Sequence, residues 1–281
     1  MPLVTTTEML IAARRGGYAV GAFTVDNMEM ARAVLMAAEA EKAPVIVQTA
    51  SSTLRYAPPL VFSGMVAALA ANIEVPVALH LDHGESYELC VKAVEAGYTS
   101  VMIDGAHLPF EENVALTRKV VDMASPRIPV EAGLELVGGK EGGQFSEGWA
   151  GADPAEAAEF VKRTGVSSLA VAAGAARGCQ GTSKPDFQRL DAIHKNTDVP
   201  LVLHDASGVS DADLQTCVRL GVCKVNFTAE LRIAYTLGIR SFLSESPDAC
   251  DPKLFGKAGM ERVFALVTDK IRCLWSFGKA I

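Results

Sequence analysis

The most informative residues for chemistry form the run HLDHG, His80 to Gly84, at the end of a predicted strand. Within it Asp82, a carboxylate able to move a proton, stands beside His83, an imidazole able to bind a metal ion. Strict strand alternation would place these two side chains on opposite faces. Because a glycine follows, we expect the strand to end near Leu81 and both side chains to face one site. The simpler interpretation of this run alone is an Asp–His hydrogen bond that closes a loop.

A second histidine, His204, ends another predicted strand in the run LHDASG. Two histidines from different strands can converge on one divalent cation, although catalytic zinc normally has three protein ligands. Asp104 in VMIDG and Glu131 in PVEAG add acidic groups at other strand ends. Each acid alone is also typical of a helix cap or of a group that supports a ligand. The residue types therefore predict a metal-assisted acid–base site and leave its third ligand open.

Small residues follow two later predicted strands and suit the binding of a phosphate. The runs are DASG at 205–208 and NFTA at 226–229, and they make Asp205 and Thr228 candidates for substrate binding. Small side chains let backbone N–H groups approach an anion at a helix N-terminus. In β/α barrels the loops after strands seven and eight commonly form the phosphate site.

All of these residues lie at the ends of short apolar runs that we predict to be parallel strands. Three of the runs start just after a proline, which suits the first residue of a strand. Most are apolar on both faces, as buried parallel strands are. The predicted strands are Ala19–Phe23, Val45–Gln48, Val77–His80, Ser100–Ile103, Pro129–Glu131, Ser168–Ala172, Leu201–His204 and Lys224–Phe227.

Amphipathic helical patterns separate these strands. They cover about Met28–Lys42, Val61–Ala71, Ser86–Ala96, Glu111–Met123, Pro154–Thr164, Phe187–Lys195, Asp211–Leu220, Ala229–Ser244 and Met260–Trp275. Eight βα units predict a (β/α)8 barrel, in which chemistry sits at the carboxyl ends of the strands. A doubly wound sheet is the main alternative, but the GxGxxG fingerprint after its first strand is missing. We therefore predict an α/β protein that forms a single TIM-barrel domain over residues 1–281.

One Gly-rich stretch, residues 133–151, interrupts the alternation after the fifth predicted strand. A long loop inside a compact domain is usually either functional or disordered. At the carboxyl end of a barrel strand it would lie over the active face. We predict a mobile lid, and the alternative is a plain surface loop.

The composition excludes several classes of partner. The chain has 281 residues and a formal net charge of −7, which argues against general binding to nucleic acid or to an anionic membrane. It contains no run of ~18 apolar residues, so no transmembrane helix is expected. Its six scattered cysteines include no CxxC pair and are typical of reduced thiols, so we expect a cytoplasmic protein.

Eight motifs, in order and over nearly the whole chain, resemble class II ketose-bisphosphate aldolases, and the fructose/tagatose-bisphosphate branch in particular. They are GAFTVDN, APVIVQTASS, PVALHLDHG, SVMIDGAHLPFEEN, PVEAGLELVGG, LAVAAGAARG, PLVLHDASGV and KVNFTAELR. The resemblance implies a zinc-dependent (β/α)8 barrel that forms a homodimer or homotetramer. It also implies cleavage of a ketose bisphosphate, or a related anionic sugar, to dihydroxyacetone phosphate and an aldehyde.

The same resemblance implies roles for individual residues. Asp82 matches the family's proton donor and acceptor, His83 and His204 match two of its zinc ligands, and Asp104 matches an acid at a second metal position. Glu141 stands where the family's lid carries a catalytic acid, although the family's GGxED is GGKEGG here. The positions that match contacts to dihydroxyacetone phosphate are Gly178, Ser207, Gly208 and Asn226.

Several matching positions depart from the family. Arg177 replaces the third zinc histidine in AAGAARG, and a guanidinium has no lone pair for a metal. Asp205 replaces a phosphate-binding glycine, and its charge would repel a phosphate. Thr24 and Gly133 replace an Asn and a Glu that line the family's site. Arg177 could pair with Asp205 or bind an anionic group of the substrate.

Three functions are therefore open from the sequence. The first is a metal-dependent aldolase in which Asp205, Glu131 or Cys179 supplies the missing ligand. The second is a lyase without zinc that uses Arg177 as the catalytic electrophile, on the same or a changed substrate. The third is a non-catalytic accessory subunit, against which Asp82 argues because such a protein needs no proton shuttle.

Overall fold

The structure is a computed structural model that describes residues 3–134, 152–172, 185–204 and 206–280. Eight parallel strands close into a barrel in chain order, and β1 pairs with β8. This confirms the predicted (β/α)8 barrel. The strands are β1 Val20–Thr24, β2 Val45–Ala50, β3 Val77–Gly84, β4 Ser100–Ile103, β5 Val130–Gly133, β6 Ser168–Ala172, β7 Leu201–His204 and β8 Val222–Phe227.

Helices surround the barrel and include every predicted one. They are α1 Thr6–Gly16, α2 Met28–Ala40, α3 Ser51–Tyr56, α4 Pro59–Ala70, α5 Tyr87–Glu95, α6 Phe110–Ala124, α7 Pro154–Thr164, α8 Phe187–Asn196, α9 Asp211–Arg219, α10 Ala229–Glu245 and α11 Pro252–Cys273. Helices α1 and α3 were not predicted from the sequence. None of the helices in the described ranges is long and apolar enough to cross a membrane.

Helix α11 starts at Pro252, well before the predicted start at Met260. Asp251 caps it by accepting a hydrogen bond from the backbone N–H of Lys253. Gly256 and Gly259 lower the helical propensity of this first part of α11, so the pattern at residues 252–259 did not predict a helix. A Cβ at Gly259 would lie 2.6 Å from the Tyr235 ring, so the glycine lets α11 pack closely on α10.

Strand residues alternate between two environments, as a barrel requires. Val45 and Val47 belong to the main apolar core, which also contains residues of the surrounding helices. Ile46 and Ala78 belong instead to a smaller apolar cluster that includes Met9 of α1. Helix α1 therefore packs on residues near the amino-terminal end of the strands. Further along, the barrel interior changes from apolar to polar, where the buried side chains include Gln48, His80, Asp82, Glu131, His204, Lys224 and Asn226.

Strand β3 differs from its prediction in a way that matters for the site. It continues to Gly84, so the expectation that it ends near Leu81 was wrong. Instead, His83 adopts φ 48°, and the register with β4 shifts between Leu81 and Gly84. This left-handed residue breaks the alternation and allows His83 to face the same site as Asp82. A Cβ at Gly84 would lie 2.5 Å from the carbonyl oxygen of Met102, so the irregular strand end requires glycine.

Candidate active site

Three side chains meet at the carboxyl ends of the strands. Asp82 and His83 come from β3, and His204 is the last residue of β7. One potential ligand atom from each lies within 4.8 Å of the other two, which makes them a candidate metal-binding group. The imidazole atoms His83 Nε2 and His204 Nδ1 are only 3.2 Å apart.

A carboxylate holds each imidazole from behind. Asp104 Oδ2 lies 2.8 Å from His83 Nδ1, and Glu131 Oε1 lies 2.8 Å from His204 Nε2. Burial raises the pKa of Asp104, but the hydrogen bond and charge of His83, with the backbone hydrogen bond from Ala106 and the charge of His204, together outweigh it and leave this pKa below its usual value. An ionised carboxylate can only accept, so these imidazole nitrogens carry the hydrogens. The lone pairs are thus on His83 Nε2 and His204 Nδ1, the two nitrogens that face each other.

The two facing nitrogens fit a bound metal ion. Two lone pairs that point at each other repel unless a cation lies between them. Zinc binds histidine nitrogen at about 2.0–2.1 Å in tetrahedral geometry, which places two such ligands about 3.3 Å apart. The separation of 3.2 Å between His83 Nε2 and His204 Nδ1 agrees with that value. A carboxylate behind each ligating histidine is also typical of zinc sites.

Asp82 is buried and held by two side-chain amides. Gln48 Nε2 donates to its Oδ2 at 3.0 Å, and Asn226 Nδ2 donates to its Oδ1 at 3.1 Å. Gln48 Nε2 also donates to Thr24 Oγ1, which lies 2.7 Å from Thr228 Oγ1. Oδ1 of Asp82 is 4.0 Å from His83 Nε2. The carboxylate is therefore fixed next to the histidine pair and accepts hydrogen bonds from neutral donors.

A buried ionic layer lies directly behind His204. Lys224 Nζ donates to Glu131 Oε2 at 2.8 Å, and both side chains are buried. Burial raises the pKa of Glu131, but the Lys224 ammonium and the hydrogen bond from His204, together with the charges of the two histidines, outweigh it and lower this pKa far below the usual value. Burial and then the same ammonium lower the pKa of His80 to about 3, so this imidazole is neutral. With one oxygen on His204 and the other on Lys224, Glu131 supports a ligand and is not turned toward the metal position.

The structure distributes the remaining predicted residues as follows. Asp104 lies behind His83 and is not part of the three-residue group. Ser207 and Gly208 lie in the turn between β7 and α9, where Gly208 has φ 83°. The predicted residues Glu141, Arg177, Gly178 and Asp205, the alternative ligand Cys179 and nearly all of the proposed lid lie outside the described residues.

Two residues that shape the site, Gln48 and Lys224, were not predicted from the sequence. Gln48 was visible only as a polar residue at a strand end, and its bond to Asp82 depends on the pairing of β2 with β3. Lys224 stands within the apolar run VCKVNF, and a lysine there is the signal that could have indicated a buried ion pair.

Comparison with known proteins places this geometry in a family. A model for the family described as fructose-bisphosphate aldolase class-II matches residues 4–279. A fructose-bisphosphate aldolase of Geobacillus stearothermophilus is 44% identical over 285 residues, covering 100% of this chain and 99% of the relative. One from Staphylococcus aureus is 41% identical and covers 97% of each chain. The crystal structure of the YdjI aldolase from Escherichia coli K12 has a TM-score of 0.88 and 34% identity, covering 99% of this chain and 100% of that one.

These matches run through the strands that carry Asp82, His83 and His204. They confirm the resemblance inferred from the motifs. They also confirm the prediction of an aldolase, an aldehyde-lyase whose reaction is retro-aldol cleavage. The alternative of a non-catalytic accessory subunit gains no support, since these relatives are all named as aldolases. The chain belongs to the class-II fructose-bisphosphate aldolase family.

Proposed function

We propose that the protein is a zinc-dependent aldolase that cleaves a phosphorylated ketose to dihydroxyacetone phosphate and an aldehyde. The observation that carries this proposal is the pair of imidazole nitrogens 3.2 Å apart on His83 and His204. Each imidazole is oriented by a carboxylate, so both lone pairs are directed at one point beside Asp82. A metal ion bound there would act as a Lewis acid that polarises the substrate carbonyl.

In this proposal Asp82 moves the proton. Its carboxylate accepts the proton from the substrate hydroxyl next to the carbon–carbon bond that breaks. The hydroxyl oxygen then becomes the carbonyl oxygen of the aldehyde, and the electron pair of the broken bond stays with the ketone half. The protonated Asp82 then returns a proton to the carbon of the ketone half that held the broken bond, which gives dihydroxyacetone phosphate and restores the carboxylate. Gln48 and Asn226 keep both carboxylate oxygens in place by hydrogen bonds of 3.0 and 3.1 Å.

The phosphate is proposed to bind at the loops after β7 and β8. Ser207 and Gly208 lie in a turn that leads into α9, where small residues and backbone N–H groups suit an anion. Asn226 and Thr228 would contact the substrate from β8 and the residue after it. In this proposal Gly178 and Asp205 also bind the substrate, and Glu141 and Arg177 take part in catalysis, as predicted from the sequence.

We propose that Asp104 orients His83. Its Oδ2 is engaged by His83 Nδ1, and its Oδ1 accepts a hydrogen bond of 3.3 Å from the backbone of Ala106. These contacts favour an orienting role over the predicted role as a metal ligand. The third ligand is then Asp82 itself, a residue outside the described ranges such as Asp205, or the substrate.

The test combines metal analysis with a cleavage assay. Purified protein is analysed for metal, stripped with a chelator, and reloaded with zinc. Dihydroxyacetone phosphate is then measured from fructose 1,6-bisphosphate, tagatose 1,6-bisphosphate and singly phosphorylated ketoses. We expect cleavage of at least one, lost on stripping and restored by zinc. Cleavage that resists stripping would instead favour the zinc-independent use of Arg177, and no cleavage of any ketose would refute the proposal.

We also propose a cytoplasmic location and a homodimer or homotetramer. Five cysteines in the described ranges are free, and four of them are buried, which suits a reducing compartment. Light scattering on the purified protein would measure the mass of the assembly.

A further inference from the structure

The side chain of Lys224 is fully buried in the barrel interior, on β8. Such interiors are usually filled by branched apolar side chains. A buried ion pair is seldom more stabilising than apolar residues of the same volume. Stability alone is therefore a poor explanation for a lysine at this position. Among the described residues its one ion pair is with Glu131, and this pair leads to the candidate metal site.

The Glu131 carboxylate links the ammonium to a histidine. Its Oε2 accepts a hydrogen bond from Lys224 Nζ at 2.8 Å, and its Oε1 accepts one from His204 Nε2 at 2.8 Å. His80 Nε2 lies 3.8 Å from Oε2, too far for a hydrogen bond. Lys224 is thus the donor that fixes Oε2, and a carboxylate with one oxygen fixed cannot rotate its other oxygen away from His204.

We propose that Lys224 is a positioning residue of the metal site, which acts through Glu131 to hold His204 with its Nδ1 directed at the metal. The inference rests on the proposed function for the presence of the metal. His204 Nδ1 meets His83 Nε2 at 3.2 Å only in this orientation of the ring. Loss of an outer hydrogen bond to a ligating histidine typically lowers metal affinity by about 10- to 100-fold.

A buried lysine could instead act as an amine that forms a Schiff base with a ketone. The contacts of Lys224 argue against this, because its Nζ is bonded to Glu131 and no part of the side chain is exposed. Treatment with borohydride in the presence of substrate should therefore leave the enzyme active. Inactivation with a reduced adduct on Lys224 would overturn the positioning role.

The main test compares Lys224→Met with Lys270→Met. Lys270 also forms ion pairs and is largely buried, but it lies on α11, outside the barrel. Zinc affinity is measured by chelator competition, and the geometry by the visible spectrum of the cobalt-loaded protein. We expect Lys224→Met to weaken zinc binding about 10- to 100-fold and to change the spectrum, and Lys270→Met to change neither. Unchanged affinity in folded Lys224→Met would overturn the proposal.

Lys224→Met leaves the buried Glu131 carboxylate without its ammonium partner, so this variant could fail to fold. A second variant tests the proposal in that case. The double variant Glu131→Gln/Lys224→Met leaves no charge unpaired. Its neutral side-chain amide at position 131 is no longer held by Lys224, so the protein should bind zinc at least about tenfold more weakly than wild type. Wild-type affinity in the double variant would overturn the proposal.

The metal-free protein gives a readout that does not depend on the proposed function. NMR chemical shifts of the His204 nitrogens report which nitrogen carries the hydrogen. We expect a hydrogen on Nε2 in wild type and a mixture of tautomers in Lys224→Met. If wild type binds no zinc, the proposed function fails, while these shifts still decide whether Lys224 positions His204. Identical shifts in the two proteins would overturn the inference.

Discussion

Replacing Asp82 by Asn separates the two roles that its position allows, proton acceptor and metal ligand. The side chain is buried, and its Oδ1 lies 4.0 Å from His83 Nε2. Gln48 and Asn226 each donate a hydrogen bond to it. Asparagine has nearly the same shape but only one acceptor oxygen, so its amide group would face one of these two donors.

The expected magnitudes follow from these contacts. Losing one hydrogen bond to a charged acceptor costs about 1.5–3 kcal/mol, and removing a buried charge offsets part of this loss. At about 2–4 °C per kcal/mol, Tm should fall by no more than ~10 °C. Loss of a general base should lower kcat by about 10²- to 10⁴-fold, or about 3–5 kcal/mol of barrier. Zinc affinity should stay within about threefold if His83 and His204 are the main ligands.

The assay measures kcat, KM and zinc affinity on the same preparation of Asp82→Asn. Asp122→Asn is the control, since this carboxylate is exposed on α6 and pairs only with Arg118 among the described salt bridges. A kcat within tenfold of wild type would refute the role of Asp82 as proton acceptor. A fall of more than about 100-fold in zinc affinity would instead assign Asp82 as the third ligand, in place of the missing histidine.

Much of the fold follows from local patterns. Apolar runs such as those at Val45–Gln48 and Leu201–His204 alternate with amphipathic helices, and parallel strands joined by helices close in chain order. Because the carboxyl ends of all the strands lie on one face of a barrel, Asp82, His83 and His204 are expected to be neighbours. The sequence displays the position of each residue at or near the end of a strand, and the structure brings the three together.

Other features depend on contacts between distant strands. The left-handed φ of His83 compensates for strand alternation, and neither residue type nor spacing indicates it. The bond from Gln48 to Asp82 requires neighbouring strands in one register, and the bond from Lys224 to Glu131 crosses the barrel between β8 and β5. Which residues meet across a barrel depends on the tertiary structure, so the sequence shows Lys224 in an apolar run but does not show that Glu131 is its partner.

Three further predictions test individual contacts. In a Cys179→Ser variant, a thiol reagent should react rapidly with the exposed Cys250 and slowly with the four buried cysteines among the described residues. Burial raises the pKa of those four thiols to about 11 or 12, and rapid reaction of more than one cysteine would contradict this prediction. Burial raises the pKa of Asp26, but the hydrogen bonds from Arg232 and Thr53 and the charge of Arg232 together outweigh it and lower this pKa. The stability that the ionised Asp26 contributes is therefore present above an unfolded pKa of about 3.9 and is lost as the pH falls through the folded pKa. The difference in Tm between wild type and Asp26→Asn should therefore shrink from pH 6 to pH 3, and a constant difference would show that the charge is not responsible. Gly84→Ala would place its Cβ 2.5 Å from a backbone carbonyl of β4, so it should lower stability by about 1–3 kcal/mol in thermal unfolding and displace the histidine before it. The control Gly64→Ala has open space in the middle of α4 and should raise stability by about 0.5–1 kcal/mol, so equal effects of the two changes would refute the steric argument at the end of β3.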